Sequence, residues 1–315
     1  MAIAKPKTPE PFSDQLVRFT FDDLPIRGQW VRLEAVLTEA NAHHDYPQPI
    51  KTLLAEQLAA VALFADTLKM NGSVALQSRG GERLVRSLAE CREQENLRAI
   101  AHLREHSEDQ AANLGTGESD LKDWLAGGQL ALTLIPELQG PQTYQGIIEL
   151  LHPGLEANIE HYFQQSEQLP TRLFFSHNRA TTTGLLLQRL PDDDLGHDIA
   201  TQAWEDAWET IQVLIATLTL EELAELPPEQ FLRQFFSEFP CRLYPTRSLR
   251  YQCTCTRAKT DNTLRTFAQE ELEEIIAERG AIDVNCEFCG ARYTYDPVDV
   301  AALEQDRTTG SNTVH

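Results

Sequence analysis

Hydrophobic and polar residues alternate near the beginning of the chain with the two-residue period of a β-strand. Val17, Phe19 and Phe21 fall on one face of the first predicted strand, and "LPIRGQWVRL" continues as a second strand. Gly28 lies within this second pattern and indicates a bend there. We therefore expect residues 15–40 to begin with two sequential strands.

A helical period replaces the alternation between about residues 50 and 70, where apolar residues recur three and four positions apart. Further strands are predicted at 72–80, 128–137 and 144–152, a helix at 154–170, and two more strands at "TRLFFSH" and "TTTGLLLQRLP". This mixture of strands and helices predicts an α+β fold whose first part is an α/β core domain.

The composition changes after residue 190. Residues 191–250 carry twelve acidic side chains and four arginines, a local net charge of −8, and their apolar positions have a helical period. There are two apolar stripes, and prolines 227 and 228 interrupt the second: Trp204, Trp208, Ile211 and Ile215, then Leu223, Leu226, Phe231, Phe235 and Phe236. The pattern predicts amphipathic acidic helices, whose ordinary role is to pack on a core.

A small module is predicted at the C-terminal end. A helix ending at Gly280 precedes a strand, a turn and a return strand, and Asp296 and Pro297 begin a final helix. The predicted organisation is a flexible tail (1–11), a core domain (12–190), a helical linker (191–250), a cysteine module (251–305) and a C-terminal tail (306–315).

Charge and hydropathy restrict the function. The 315-residue chain is 42% hydrophobic, enough to fill a core, and its net charge is −21. Such acidity disfavours binding to nucleic acid or to an anionic membrane surface, and no apolar run has the length of a membrane span. The N-terminus also has no apolar signal core. We expect a cytoplasmic protein whose thiols are reduced by default.

Four of the six cysteines form two close pairs. Cys253 and Cys255 form a CxC pair, and Cys286 and Cys289 form a CxxC pair thirty residues further on. Four thiolates are a tetrahedral ligand set for one zinc ion, which would support a module with few core residues. The CxC spacing is unusual for a structural site, in which two to four residues usually separate paired cysteines. It also places a resolving thiol beside each sulfur. An inert zinc ribbon and a redox-reactive site both remain open.

The other candidate sites have ordinary explanations. Cys91 is expected to be a buried or half-buried small residue, and Cys241 a thiol outside the site. His43, His44 and Asp45 are expected in a solvated loop rather than a metal site. The sequence contains neither a GxSxG nor an HExxH motif, so we expect a protein that is not an enzyme.

Several segments together resemble one family. The C-terminal CxC and CxxC pairs, with "CEFCGARYTYD", are similar to those of the heat shock protein 33 family of bacterial redox-regulated holdase chaperones. Segments that resemble its core domain and linker are "FDDLPIRGQWVRL" (21–33), "YPQPI" (46–50), "YQGII" (144–148), "YFQQSEQLPTR" (162–172), "GLLLQRLP" (184–191) and "LTLEEL" (218–223). The resemblance covers nearly the whole chain.

This resemblance implies a mechanism. The reduced, zinc-bound form would be inactive, and oxidation would release zinc and form the disulfides Cys253–Cys255 and Cys286–Cys289. The module and linker would then unfold, and the protein, commonly a homodimer in its active form, would bind unfolding client proteins without ATP. We expect the client-binding residues to be the large apolar side chains of the linker: Trp204, Trp208, Phe231, Phe235 and Phe236.

Two other functions remain as alternatives. A thiol–disulfide oxidoreductase would need its CxxC at a helix N-terminus in a thioredoxin-like setting. A zinc-ribbon nucleic-acid-binding protein would need a basic stripe, whereas the basic residues around the cysteines are scattered.

Overall fold

The computed structural model describes residues 13–67, 72–104, 121–136, 143–178, 180–191 and 201–310. The chain divides into two compact units, residues 1–252 and residues 253–315. The predicted tail 1–11 lies outside the described residues, as do residues 311–315 of the second predicted tail. The predicted boundary between core domain and linker stays a prediction, because both stretches belong to the first unit.

Two six-stranded sheets organise the first unit. The strands are β1 (Gln15–Phe21), β2 (Ile26–Leu33), β3 (Gly72–Arg79), β4 (Leu84–Arg92), β5 (Asn96–Leu103), β6 (Gln129–Pro136), β7 (Tyr144–Ile148), β8 (Thr171–His177), β9 (Thr182–Arg189), β10 (Cys241–Leu243), β11 (Arg247–Ser248) and β12 (Arg250–Tyr251). The first sheet has the order β10-β1-β2-β9-β8, with β11 also pairing β1, and the second has the order β12-β5-β4-β3-β6-β7. All of these pairs are antiparallel except the parallel pair β12–β5.

The described helices of the first unit are α1 (Ala35–Asn41), α2 (Gln48–Thr67), α3 (Leu121–Leu125), α4 (Leu155–Tyr162), α5 (Thr201–Ile215), α6 (Leu220–Glu225) and α7 (Pro228–Phe235). A π-helical turn, Phe163–Glu167, continues α4. Each of these helices is too short or too polar to cross a bilayer, and the same holds elsewhere in the described part of the chain.

Helix α2 is buried between the two sheets. Fifteen of its twenty residues are buried, and its side chains share one apolar cluster with inward-facing residues of both sheets. A surface helix has only one apolar stripe, whereas a helix between two sheets must be apolar on nearly every side. This is why residues 58–65, "LAAVALFA", contain no charged residue.

The opposite face of the first sheet is covered by the helices of the predicted linker. Val17, Phe19 and Phe21 project from β1 into a second apolar cluster that also contains residues of α5, α6 and α7. Phe236 contacts the rings of Phe19, Phe21 and Phe231, with centroids 6.5, 5.0 and 5.6 Å away. Such aromatic packing stabilises beyond the area it buries. The acidic helices are therefore part of the folded first unit.

Gly28 does not lie at a bend, so that prediction is wrong. It lies within β2, directly opposite Phe19 of β1. A Cβ atom at position 28 would overlap the Phe19 ring. The glycine is required because an aromatic ring packs flat against its backbone, a tertiary contact that the sequence pattern alone does not reveal.

The strands β4 and β5 were not predicted. Their inward-facing residues are small, such as Ala89, Cys91, Ala99 and Ala101, and all four are buried against the core. Small residues are weak strand formers, so the period-two pattern is faint there. The short strands β10, β11 and β12 were not predicted, because two or three residues are too few to show an alternation of apolar and polar side chains.

A buried ion cluster ties the segment before the cysteines to the core. Asp66, at the end of α2, is nearly inaccessible and accepts a hydrogen bond of 2.7 Å from Gln29 Nε2. Arg247 Nη1 of β11 lies 2.8 Å from Asp66 Oδ1, and Arg18 Nε lies 3.5 Å from Asp66 Oδ2. A buried carboxylate is tolerated only with such partners. Asp66 therefore holds β11 against α2.

The second unit has its own elements and a small core. Its helices are α8 (Arg257–Leu264), α9 (Gln269–Arg279) and α10 (Pro297–Gly310), and its hairpin consists of β13 (Ile282–Asn285) and β14 (Arg292–Tyr295). Gly280 ends α9 with φ +79°, and the Asp296 carboxylate caps α10, both as predicted. The buried apolar residues described in this unit are Leu264, Leu272, Ile282, Tyr295, Val300 and Leu303.

We expect Asp66→Asn to lower the free energy of unfolding of the first unit by about 2 kcal/mol. The substitution leaves two arginines beside a neutral group, although both retain some contact with water. Urea unfolding followed by tryptophan fluorescence measures this, because all four tryptophans lie in the first unit.

The matched control is Asp22→Asn. The Asp22 carboxylate is 41% exposed and lies 3.5 Å from Arg242, so its loss should change the stability by less than about 0.5 kcal/mol. Equal effects of the two substitutions would contradict a special role for the buried cluster.

Candidate metal centre

The CxC pair lies on a short irregular stretch that leads into α8. Thr256 caps this helix by accepting a hydrogen bond of 3.3 Å from the Lys259 backbone N–H. Lys259 Nζ also donates a hydrogen bond of 2.7 Å to the Thr254 carbonyl, between the two cysteines. The cap and the lysine fix the backbone that presents Cys253 and Cys255.

The CxxC pair forms a knuckle between β13 and β14. Cys286 directly follows β13, and its N–H donates to the Ala291 carbonyl at 2.8 Å. The Gly290 N–H donates to the Cys286 carbonyl at 2.8 Å, and Gly290 has φ +67°. This left-handed conformation suits glycine, so the residue after Cys289 permits the tight return that turns both thiols to the same side.

The structure brings the four predicted ligands together. The Sγ atoms of Cys253, Cys255, Cys286 and Cys289 all lie within 4.8 Å of one another, and all four residues are half-buried free thiols. Cys253 Sγ lies 3.6 Å from Cys286 Sγ, and Cys255 Sγ lies 3.4 Å from Cys289 Sγ. Four sulfurs around a tetrahedral zinc ion are about 3.8 Å apart, so the donor set fits zinc.

Tyr293 is a site residue that the sequence reasoning missed. Its hydroxyl donates a hydrogen bond of 3.3 Å to Cys255 Sγ. In β14, Tyr293 and Tyr295 occupy one face, while Arg292 and Thr294 on the other face bind Asp283. The alternation of "RYTY" was the available signal, because it places both tyrosines on the side away from the charged pair.

The sulfurs differ in their electrostatic environment. Burial raises the pKa of Cys255, but hydrogen bonds from Tyr293 and from the neighbouring thiols lower it to about 7. Burial is the main cause that raises the pKa of Cys253, and it also raises the pKa of Cys289 to about 12. The reduced site therefore favours negative charge at Cys255, and a cation among the sulfurs would extend that charge to the others.

The remaining candidates take no part in this site. Cys91 is fully buried in β4, as expected, and Cys241 on β10 donates to the Phe239 carbonyl at 3.2 Å. His44 stacks on Tyr46, with ring centroids 4.7 Å apart. Within the described ranges, the four cysteines are the only group of three or more potential ligands close enough to hold a metal ion.

The five apolar side chains predicted to bind clients lie in the first unit and are buried. Trp208, Phe231, Phe235 and Phe236 belong to the cluster that α5, α6 and α7 form on the first sheet. Trp204 is 3% exposed. In this form of the protein none of the five offers a surface to another protein.

A family model described as Hsp33 protein matches residues 14–296, which include both cysteine pairs. The chain belongs to the Hsp33 family. Hsp33 relatives of similar length are found among curated proteins, where the name is 33 kDa chaperonin. The relative from Pseudomonas aeruginosa strain LESB58 is 38% identical over 292 residues, which cover 92% of this chain and 94% of the relative.

A second Hsp33 relative, from Salmonella typhimurium, is 33% identical over 309 residues, covering 97% of this chain and all of the relative. The crystal structure of the 33 kDa chaperonin (heat shock protein 33 homolog) from Thermotoga maritima superimposes with a TM-score of 0.75. The superposition covers 94% of this chain and 99% of that one at 21% identity. It confirms the α+β fold expected for Hsp33.

We expect the six thiols of the metal-free, reduced protein to fall into distinct reactivity classes. Burial raises the pKa of Cys91 to about 12 and that of Cys241 to about 11, so few of these thiols are ionised at neutral pH. Alkylation at pH 7.5, followed by mass spectrometry of peptides, should label Cys255, whose pKa is about 7, at least about 100-fold faster than Cys91.

Cys241 should be intermediate, and the rates of Cys91 and Cys241 should rise with pH as each thiol ionises. Denaturation in urea is the control, since it should abolish the differences. Labelling of Cys91 in the native protein at the rate of Cys255 would contradict the structure.

Proposed function

We propose that the protein is a redox-regulated, ATP-independent holdase chaperone of the bacterial cytoplasm. The observation that carries this proposal is the cluster of four free thiols in a unit with a small core, in a chain of the Hsp33 family. The reduced form, with one zinc ion bound, would be inactive. Oxidation of the thiols would activate it, and no catalytic step is required.

The metal would contribute to folding rather than to chemistry. Cys253, Cys255, Cys286 and Cys289 would hold it as thiolates, and zinc would supply on the order of 10 kcal/mol toward folding the module. The apolar core described in the second unit is too small to stabilise such a unit reliably by itself. A module of this kind would unfold when the metal is lost.

Oxidation would remove the ligands. In each pair, two thiols and one peroxide molecule would give one disulfide and two water molecules, with the two electrons passing from sulfur to peroxide oxygen. The proposed disulfides are Cys253–Cys255 and Cys286–Cys289. Two disulfides carry no thiolate charge, so the site would lose its affinity for zinc.

The proposed client surface is the cluster now buried between the first sheet and α5, α6 and α7. Its proposed binding residues are Trp204, Trp208, Phe231, Phe235 and Phe236. Release of these helices would expose aromatic side chains suited to apolar segments of unfolding proteins. The active form would be a homodimer, which would double the surface available to a client.

The geometry disfavours the two alternatives. Cys286 follows β13 and leads into a hairpin, whereas an oxidoreductase CxxC stands at a helix N-terminus that activates its first thiol. A nucleic-acid-binding zinc ribbon is disfavoured by the charge of −21.

We expect peroxide treatment to release one zinc ion per chain and to switch on suppression of client aggregation. The measurement combines a metallochromic dye with light scattering of a thermally unfolding client. Cys286→Ser should lose zinc and suppress aggregation without oxidant, because three thiolates hold the metal less tightly. Cys91→Ser is the control and should behave as the native chain does. Equal activity of the reduced and oxidised protein would contradict the switch.

We expect hydrogen exchange to become faster in α5, α6 and α7 after oxidation, by at least about 100-fold, because the helices lose their packing on the first sheet. Helix α2 is the internal control, since it lies between the two sheets and should stay protected. If the protein lost zinc and bound clients while residues 201–236 stayed protected from exchange, the clients would have to bind to another surface.

A further inference from the structure

Two tyrosines in the same hairpin have different partners. Tyr295 OH is held by Asp261 Oδ1 at 2.6 Å and by Thr260 Oγ1 at 2.5 Å. Tyr293 OH instead donates to Cys255 Sγ at 3.3 Å. The Tyr293 ring is half-buried and packs against the core of the second unit, so the hydroxyl is directed at the sulfur by packing.

The difference has a chemical consequence for the sulfur that is contacted. A phenol O–H that donates to a thiolate withdraws electron density from it. With zinc bound, all four sulfurs would be thiolates, so their nucleophilicity rather than their degree of ionisation would rank their reactivity. Thiolates attack oxidants with their sulfur lone pairs, and their nucleophilicity falls as the charge on sulfur is stabilised. Around metal sites, such donors to a ligand also fix its orientation and tune its reactivity.

We propose that Tyr293 is a positioning residue that protects Cys255 from oxidation through its hydroxyl and so decides which sulfur of the Cys253–Cys255 pair reacts first. The proposal rests on the proposed function in treating the four cysteines as the redox site. The protected sulfur would act as the resolving thiol of its pair, and Cys253 would be the sulfur that meets the oxidant.

Oxidation of the Cys253–Cys255 pair by peroxide would take two steps. The Cys253 thiolate attacks one peroxide oxygen, the O–O bond breaks, and sulfenic acid and hydroxide form. The Cys255 sulfur then attacks the sulfenic sulfur, the S–O bond breaks, and a second hydroxide leaves as the disulfide forms. Two protons convert both hydroxides to water. Cys255 is thus consumed in the second step, where its attack is intramolecular and fast.

The test is Tyr293→Phe in the full-length, zinc-loaded protein, with Tyr295→Phe as the matched control. Each substitution removes one hydroxyl from the same strand. Brief peroxide exposure is followed by a sulfenic-acid trap and peptide mass spectrometry. We expect sulfenic acid at Cys255 to form about fivefold faster in Tyr293→Phe, relative to Cys289 in the same molecules, with no such change in Tyr295→Phe.

A second readout is metal retention, measured by competition with a chromogenic chelator before any oxidant is added. Tyr293→Phe should release zinc more readily than the native chain, by a factor of a few, since the donor also orients Cys255. An unchanged ratio of Cys255 to Cys289 oxidation would overturn the proposal. A uniform acceleration at all four cysteines would overturn it too, because the ring would then act only through folding of the module.

The same experiments distinguish a failure of the Tyr293 proposal from a failure of the proposed function. If peroxide still releases zinc and activates the chaperone while the Cys255 ratio is unchanged, only the role of Tyr293 fails. If the native chain binds no zinc or shows no activation, the switch fails, whatever the ratio of sulfenic acids.

Discussion

The meeting of two distant cysteine pairs is the interaction on which the second unit depends. Cys253 and Cys255 precede α8, whereas Cys286 and Cys289 lie in the hairpin turn, and four sulfurs within 4.8 Å join these two segments. The apolar residues buried in the described part of this unit are few. A metal ion held by the four sulfurs, as proposed above, would therefore be the natural source of its stability. The stability of such a unit would then depend on whether its surroundings keep the four thiols reduced.

The first unit, in contrast, has a large apolar core, because its first sheet is buried on both faces. Helix α2 covers one face, and α5, α6 and α7 cover the other. The aromatic residues that stabilise this second layer are those we propose as the client surface. A client surface stored in this way would add no exposed apolar area to the proposed inactive form.

Much of this architecture could be predicted from the sequence. The family motifs and the cysteine spacing indicated the fold class and the four cysteines that the structure brings together, and the 3.6-residue period located α2 and the acidic helices α5, α6 and α7. Gly28 was misinterpreted because its partner, Phe19, is fixed by strand pairing rather than by local pattern. The contact between Asp66 and Arg247 spans 181 positions of sequence, and no periodicity encodes such a pair. Tyr293 was missed for a related reason, since its role depends on the hairpin register.

Helix α5 is amphipathic, with its tryptophans on the buried face and its carboxylates on the exposed face. Trp204 and Trp208 are buried, while Glu205, Asp206 and Glu209 on the same helix are exposed. A helix that turned its aromatic face to an unfolding chain would keep its carboxylates toward water. The complex would then be a particle with an anionic coat, and particles of like charge repel one another. The acidity of the chain would thus limit the size to which such assemblies could grow.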